Sequence, residues 1–164
     1  MEAGFIKPLS NEWYEYIYDI SPSFRSEISF LLGSKNNSSN VSMGLYARYQ
    51  DIDYQFKRFA DNQSIQGNEQ LIELGVPLSS WVTLVKGSKN DIHTGLDILL
   101  GGIYGLNAKQ FAFAIRPRLF STFWFKKSSN IQHGIRLELG LDYIFGSKIG
   151  NNPVIGIGYN YVLQ

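Results

Sequence analysis

The stretch IQHGIRLELGLDYIF, Ile131 to Phe145, decides the fold. Its odd positions are Ile131, His133, Ile135, Leu137, Leu139, Leu141, Tyr143 and Phe145, apolar in every case but the histidine; its even positions are Gln132, Gly134, Arg136, Glu138, Gly140, Asp142 and Ile144. A period of two marks a β-strand, because successive side chains of a strand point to opposite faces. The second face carries most of the information. A strand backing onto an ordinary core can turn lysine, serine or threonine to water, whereas arginine, glutamate, aspartate and glycine in one row suit a narrow interior where opposite charges pair.

The same pattern recurs in both directions along the chain. Upstream, Phe111 to Phe125 sets Phe111, Phe113, Ile115, Leu119, Phe123 and Phe125 against Ala112, Ala114, Arg116, Arg118, Thr122 and Trp124. Ile92 to Tyr104 opposes Leu96, Ile98 and Leu100 to His93, Gly95, Asp97 and Gly101, and Leu71 to Val85 keeps Ile72, Leu74, Val76, Leu78, Val82 and Leu84 in phase. Val41 to Tyr49 alternates until Gln50 and Asp51, where the apolar residues move to even numbers at Ile52, Tyr54 and Phe56. Such a flip signals a bulge in one long strand or a turn between two. Pro22 to Leu32 alternates well, and downstream Pro153 to Leu163 opposes Ile155, Ile157, Tyr159, Tyr161 and Leu163 to Gly156, Gly158 and Asn160. Between these runs GSKNNSSN (33–40), KGSKND (86–91) and KKSSN (126–130) read as turns, and FADNQSIQGNEQ (59–70) as a polar loop. Met1 to Asn11 reads as an irregular arm, and the aromatic stretch from Glu12 to Ile20 as a short strand, a helix turn or an interface-seated arm. The expectation is one β-barrel domain over residues 1–164, a meander of about eight antiparallel strands, with residues 1–21 as an N-terminal arm or first short strand.

Composition agrees with an all-β chain and excludes several functions. Of 164 residues 15% are aromatic, including ten Tyr and eleven Phe, while only 18% are charged, below the quarter or so usual in soluble domains. A net charge of +1 supplies no bulk attraction for nucleic acid, which is not expected as a partner. Cysteine is absent, so disulfides, thiolate metal sites and thiolate nucleophiles are excluded. No 18-residue apolar run is present to form a transmembrane helix. MEAGFIKPLS lacks the basic head and apolar middle of a secretion signal, so either the protein is cytosolic or this numbering starts after a removed signal.

The collected faces choose between two architectures. A soluble sandwich or barrel points the large apolar face inward; a membrane barrel inverts this, with lipid against the apolar face and paired charges within. Strands of 11 to 15 residues exceed the usual five or six of soluble sheets and cover the nine to eleven or so that cross a bilayer. Glycine on the polar face suits a cramped interior. Tyr49, Trp81, Tyr104, Phe123, Phe125, Tyr143, Phe145, Tyr159 and Tyr161 gather near strand ends, as an aromatic girdle requires. Pro77 and Pro117 oppose closure, since each needs a bulge or a strand end to hide its missing donor. The balance favours an antiparallel up-and-down transmembrane β-barrel whose interior holds a polar network of Arg25, Glu27, Arg48, Glu73, Asp97, Arg116, Arg118, Arg136, Glu138 and Asp142.

On this pattern from Pro22 to Gln164, with the run IELGVPL at Ile72 to Leu78, the chain resembles the small outer-membrane β-barrel proteins of Gram-negative bacteria, particularly those common in the Bacteroidota. The resemblance implies an eight-stranded barrel in the cell outer membrane, both termini in the periplasm, short turns there and longer loops outside. Its ending departs from the family: Val162, Leu163 and Gln164 follow the last tyrosine, where such barrels often finish on an aromatic residue.

Dedicated chemistry is sparse. His93 shares the polar face with Asp97, an acid–base pair or an interior hydrogen bond, and His133 lies on the otherwise apolar phase at a strand start, at the water interface. A lipid A-modifying barrel hydrolase needs a histidine with a nearby serine and an acidic orienter, and its His-x-Ser arrangement is missing, because Gly134 and Ile135 follow His133. Gly101, Gly102, Gly105, Gly156 and Gly158 precede no helix, so they form no phosphate loop. Asp51, Asp53 and Asp61 lack calcium-loop spacing. The expectation is therefore no catalytic residue, no cofactor and no metal. The function expected is a structural or accessory role in the outer membrane, extending to a subunit of a larger envelope complex, with membrane lipid or lipopolysaccharide and other envelope proteins as partners. A soluble lipocalin-like barrel binding a small ligand, and the lipid A-modifying hydrolase, are the alternatives.

Overall fold

The computed structural model describes residues 2–5, 14–17, 20–32, 39–58, 64–87, 90–125, 131–145 and 152–163. They form one antiparallel sheet of nine strand segments, β1 (Glu2–Phe5), β2 (Tyr14–Ile17), β3 (Ile20–Leu31), β4 (Ser39–Arg58), β5 (Ser64–Lys86), β6 (Asp91–Gly105), β7 (Gln110–Trp124), β8 (Ile131–Phe145) and β9 (Asn152–Leu163). From β3 to β9 every strand pairs with the next. The circuit closes through β1, which pairs with β3 on one side and β9 on the other. Followed residue by residue, the pairings run from Leu31 to Ser42, Ser79, Asp97, Arg118, Gly140, Val154 and Gly4, and return to β3 at Ser21, ten residues before the start. A closed ring of eight strands with such a stagger is a β-barrel, with strands tilted roughly 35–45° to its axis.

One end, here the upper, bears the Leu106–Lys109 turn between β6 and β7; at the lower end, where β5 gives way to β6, the Gly87 amide donates to the Asn90 carbonyl at 2.9 Å. At the upper end Gly105, the last residue of β6, stands opposite Leu71, while β4 and β5 continue pairing beyond it as far as Lys57 and Ser64. β2 joins this projection, pairing Tyr14–Ile17 with Arg58–Gln55 of β4. The turn is tied to it: the Leu106 amide donates to the Gln70 carbonyl at 2.9 Å, and the Glu69 carboxylate accepts from the amides of Asn107 (2.9 Å) and Ala108 (3.0 Å). Lys109 closes the turn with φ of 52°, in the left-handed region.

Several expectations change. The phase flip at Gln50 and Asp51 marks neither a bulge nor a turn: β4 is one strand of 20 residues, and its register against β5 is the same from Ser39↔Val82 to Lys57↔Ser64. Ile52 keeps the inward phase, and the pattern flips because the interior itself turns apolar at the upper end, where Ile52 clusters with Leu71, Ile103, Ala112, Ala114 and Ile144. Residues 64–70, read as loop, are strand, and so are Glu2–Phe5, read as irregular arm, because both find backbone partners that the local sequence does not disclose. The rest of the arm and of the 59–63 loop lies outside the described residues. Pro77 and Pro117 occupy neither a bulge nor a strand end. Each sits mid-strand where one ladder lapses: the β4–β5 pairs stop between Met43↔Leu78 and Tyr46↔Gly75, and the β7–β8 pairs between Ile115↔Tyr143 and Arg118↔Gly140. The register irregularity lies elsewhere, between Thr83 and Val85.

Candidate functional site

The alternation of Ile131 to Phe145 resolves into an outside and an inside. Leu137 and Leu139 are each 58% exposed, while Glu138 and Asp142 between and beyond them are 4% exposed. The outward row of every long strand is the apolar one: Phe24, Ile28 and Phe30 on β3, Leu45 and Tyr49 on β4, Leu74 on β5, Leu96 on β6, Phe111 and Leu119 on β7, Ile155 and Ile157 on β9. No outward position described from Phe24 to Phe30, Val41 to Tyr49, Ile72 to Leu84, Ile92 to Tyr104, Phe111 to Phe123, Ile135 to Phe145 or Ile155 to Tyr161 carries a charge. The band is bordered by rings. Tyr104 pairs with Phe111 and Phe113 with Phe145 near the upper end, and Ile135 pairs with both Phe123 and Tyr159 near the lower. Of the aromatic residues expected in this girdle, Trp81 differs, because it falls on the inward phase of β5. The eleven residues of β8 from Ile135 to Phe145 span about 34 Å of strand, which the tilt reduces to roughly 25 Å of height.

All ten charged residues expected inside lie on the inward phase, and they form two layers. In the middle of the barrel Arg116 grips Glu73 with two parallel bonds, Nε to Oε1 at 2.9 Å and Nη2 to Oε2 at 2.7 Å. Asp142 accepts from Arg116, from Arg118 and, at 3.3 Å, from Arg48. Arg48 also lies 3.5 Å from Glu73. The lower layer links Arg25 to Glu138 at 2.5 Å, Arg136 to Glu138 at 2.6 Å, Arg136 to Asp97, and Arg25 to Glu27 at 3.7 Å. Such two-point guanidinium–carboxylate bonds fix geometry as well as charge. Three arginines face two acids in the middle layer and two face three in the lower, so the two layers balance only together.

Residues outside the charged set complete the interior. The Tyr46 hydroxyl donates to Glu73 Oε1 at 2.5 Å, and the Phe120 ring lies 3.6 Å under the Arg136 guanidinium, a cation–π contact. The inward phase of Tyr46, two residues before Arg48, was the one available signal for its role; Phe120 follows the same rule on β7. Glycine makes the room: a Cβ on Gly101 would stand 2.3 Å from the Tyr46 hydroxyl and 2.5 Å from Glu73 Oε1, so any side chain there displaces the pair. Glu69, buried and capping the 106–109 turn, lies in a polar stretch that by itself reads as loop.

The histidines do not assemble a catalytic group. His93 Nδ1 accepts from Trp124 Nε1 at 3.0 Å, while Asp97 turns to Arg136, so no His93–Asp97 pair forms. His133 is exposed on the outer surface, with Nδ1 2.6 Å from the Tyr159 hydroxyl. No group of three or more potential metal ligands occurs among the described residues. No family model, curated protein or solved structure matches the chain.

Proposed function

We propose that this barrel spans the outer membrane of a Gram-negative envelope, with a structural or accessory role as a subunit of a larger envelope complex. The observation that carries the reading is the uncharged apolar exterior wrapped around a charged interior. In water this arrangement is upside down: the largest side chains would be wet, and seven buried ionised groups of the two layers, Arg48, Glu73, Asp97, Arg116, Arg118, Glu138 and Asp142, would bear the cost of dehydration. In a bilayer it is the expected one, since a closed barrel satisfies its backbone internally and the apolar band meets hydrocarbon. Its height of roughly 25 Å fits the band of such barrels. The interior supports a structural role, because an eight-stranded barrel is just wide enough to be filled by its side chains, and here Arg116, Arg118 and Leu99 are at most 1% exposed. The lower end, where β9 finishes, faces the periplasm and the β4–β5 projection faces outward.

The test is solubility and form. The protein should pellet with outer membranes and, in detergent micelles, migrate faster unheated than boiled, the behaviour of an intact barrel. A chain that stays folded and monodisperse after complete detergent removal overturns the reading.

A further inference from the structure

Trp124 stands across the lower end of the interior. It is the last residue of β7, faces inward and is 8% exposed. Its partners across the two ladders are Asp91 of β6 and Gly134 of β8. The indole lies over Gly134 so closely that a Cβ there would stand 2.7 Å from Cε3, and its other edge reaches β6, where Nε1 donates to His93 Nδ1 at 3.0 Å. One side chain therefore spans three strands. The next inward pair up is Thr122 opposite Arg136, so the indole separates the lower charged layer from the water beyond the strand ends. The Phe125 amide donates to the His133 carbonyl at 2.8 Å and pins the backbone beside Trp124, so that the ring moves by rotation of its own side chain.

The bond to His93 exists in one protonation state only. An indole N–H donates and cannot accept, so Nδ1 is the bare nitrogen of a neutral imidazole whose proton sits on Nε2. A protonated imidazole carries N–H on both nitrogens, which sets donor against donor. The added charge finds no aromatic face to offset this: the ring centroids are 5.9 Å apart, and the indole turns its N–H edge, the positive rim of its quadrupole, toward the histidine. His93 is half-buried, so a proton reaches it from solution. Around it stand Asp91 and, further in, Asp97 on its own strand, the latter bonded to Arg136. β5 brings Thr83 opposite His93 and Lys86 opposite Asp91, β7 brings Thr122, and β8 brings Arg136.

We propose that Trp124 is a lid on the lower end of the interior, latched by neutral His93 and released when His93 takes up a proton. The ion pairs above it stay in place, so release admits water to the lower layer without opening a pore. The device belongs to the interior and does not depend on the membrane placement proposed above. The test uses the full chain in micelles with Trp13→Phe and Trp81→Phe, which leaves Trp124 as the one indole. From about pH 8 to about pH 4, a range that spans histidine titration, quenching of its fluorescence by acrylamide should rise at least about twofold in one reversible step. His93→Asn puts an oxygen where Nδ1 stands and does not titrate; it should give equal quenching at both ends of the range. His133→Gln should keep the step, and Asp91→Asn should move its midpoint and keep it. In the chain with all three tryptophans, the Trp124 indole N–H should lose hydrogen-exchange protection over the same range. No step in the parent, or a step that survives His93→Asn, overturns the proposal, as does a step accompanied by loss of the strand signal in circular dichroism.

Discussion

Asp142 accepts from Arg116, Arg118 and Arg48 at once and is 4% exposed. Neutralising it strands three guanidinium groups without their common acceptor, and breaking a buried pair from one side costs about 3–5 kcal/mol. Asp142→Asn should accordingly lower resistance to guanidinium unfolding by about that amount, and adding Arg118→Met should recover part of the loss, because contacting residues are not additive. On the other face of the same strand, Leu139→Arg distinguishes lipid from water. A charge facing mid-bilayer should cost roughly 2–4 kcal/mol in vesicle-folded protein, whereas an exposed site on a soluble barrel would change stability by less than about 0.5 kcal/mol.

The elements differ in what they contribute. The upper projection of β4 and β5 pairs with β2 but with no part of β6 beyond Gly105. Removing residues 54–67 and joining Asp53 to Asn68 through Asn-Gly, a turn suited to two-residue hairpins, should leave the barrel intact, with the unheated electrophoretic shift retained. Loss of the shift would show that the projection helps form the ring. β7 behaves oppositely. Pro117 lies where the β7–β8 ladder lapses, and Gly140 allows the Pro117 carbonyl and the Arg118 side chain to approach, within 2.3 and 2.5 Å of where a Cβ would stand. Gly140→Val should therefore disturb the Arg118–Asp142 bond and destabilise the barrel, read as a lower midpoint in the same unfolding assay.

At the scale of the molecule, a ring of eight strands with a stagger of ten residues encloses a space in which Arg116, Arg118, Asp97, Leu99 and Phe120 are buried. Reconstituted in a planar bilayer, the protein should show no steady conductance. A stable open level in the unmodified chain would contradict a filled interior and favour a solute path through the charged layers.

The period of two in Ile131 to Phe145, with its recurrence along the chain, determined that the chain is β, which side of each strand is apolar, and which ten charged residues share the other side, because alternation is a local property of extended backbone. Tyr46 followed from the same rule once its phase was read. Tertiary structure alone decided what depends on distant partners: that Asp142 gathers three arginines, that His93 bonds Trp124 instead of Asp97, that residues 64–70 and Glu2–Phe5 are strands, and that Ile52 faces inward where the interior turns apolar. Register and closure join residues more than a hundred apart, such as Arg25 and Glu138. No local pattern encodes such a contact, and the energy of a buried charge depends on which partner the fold brings to it.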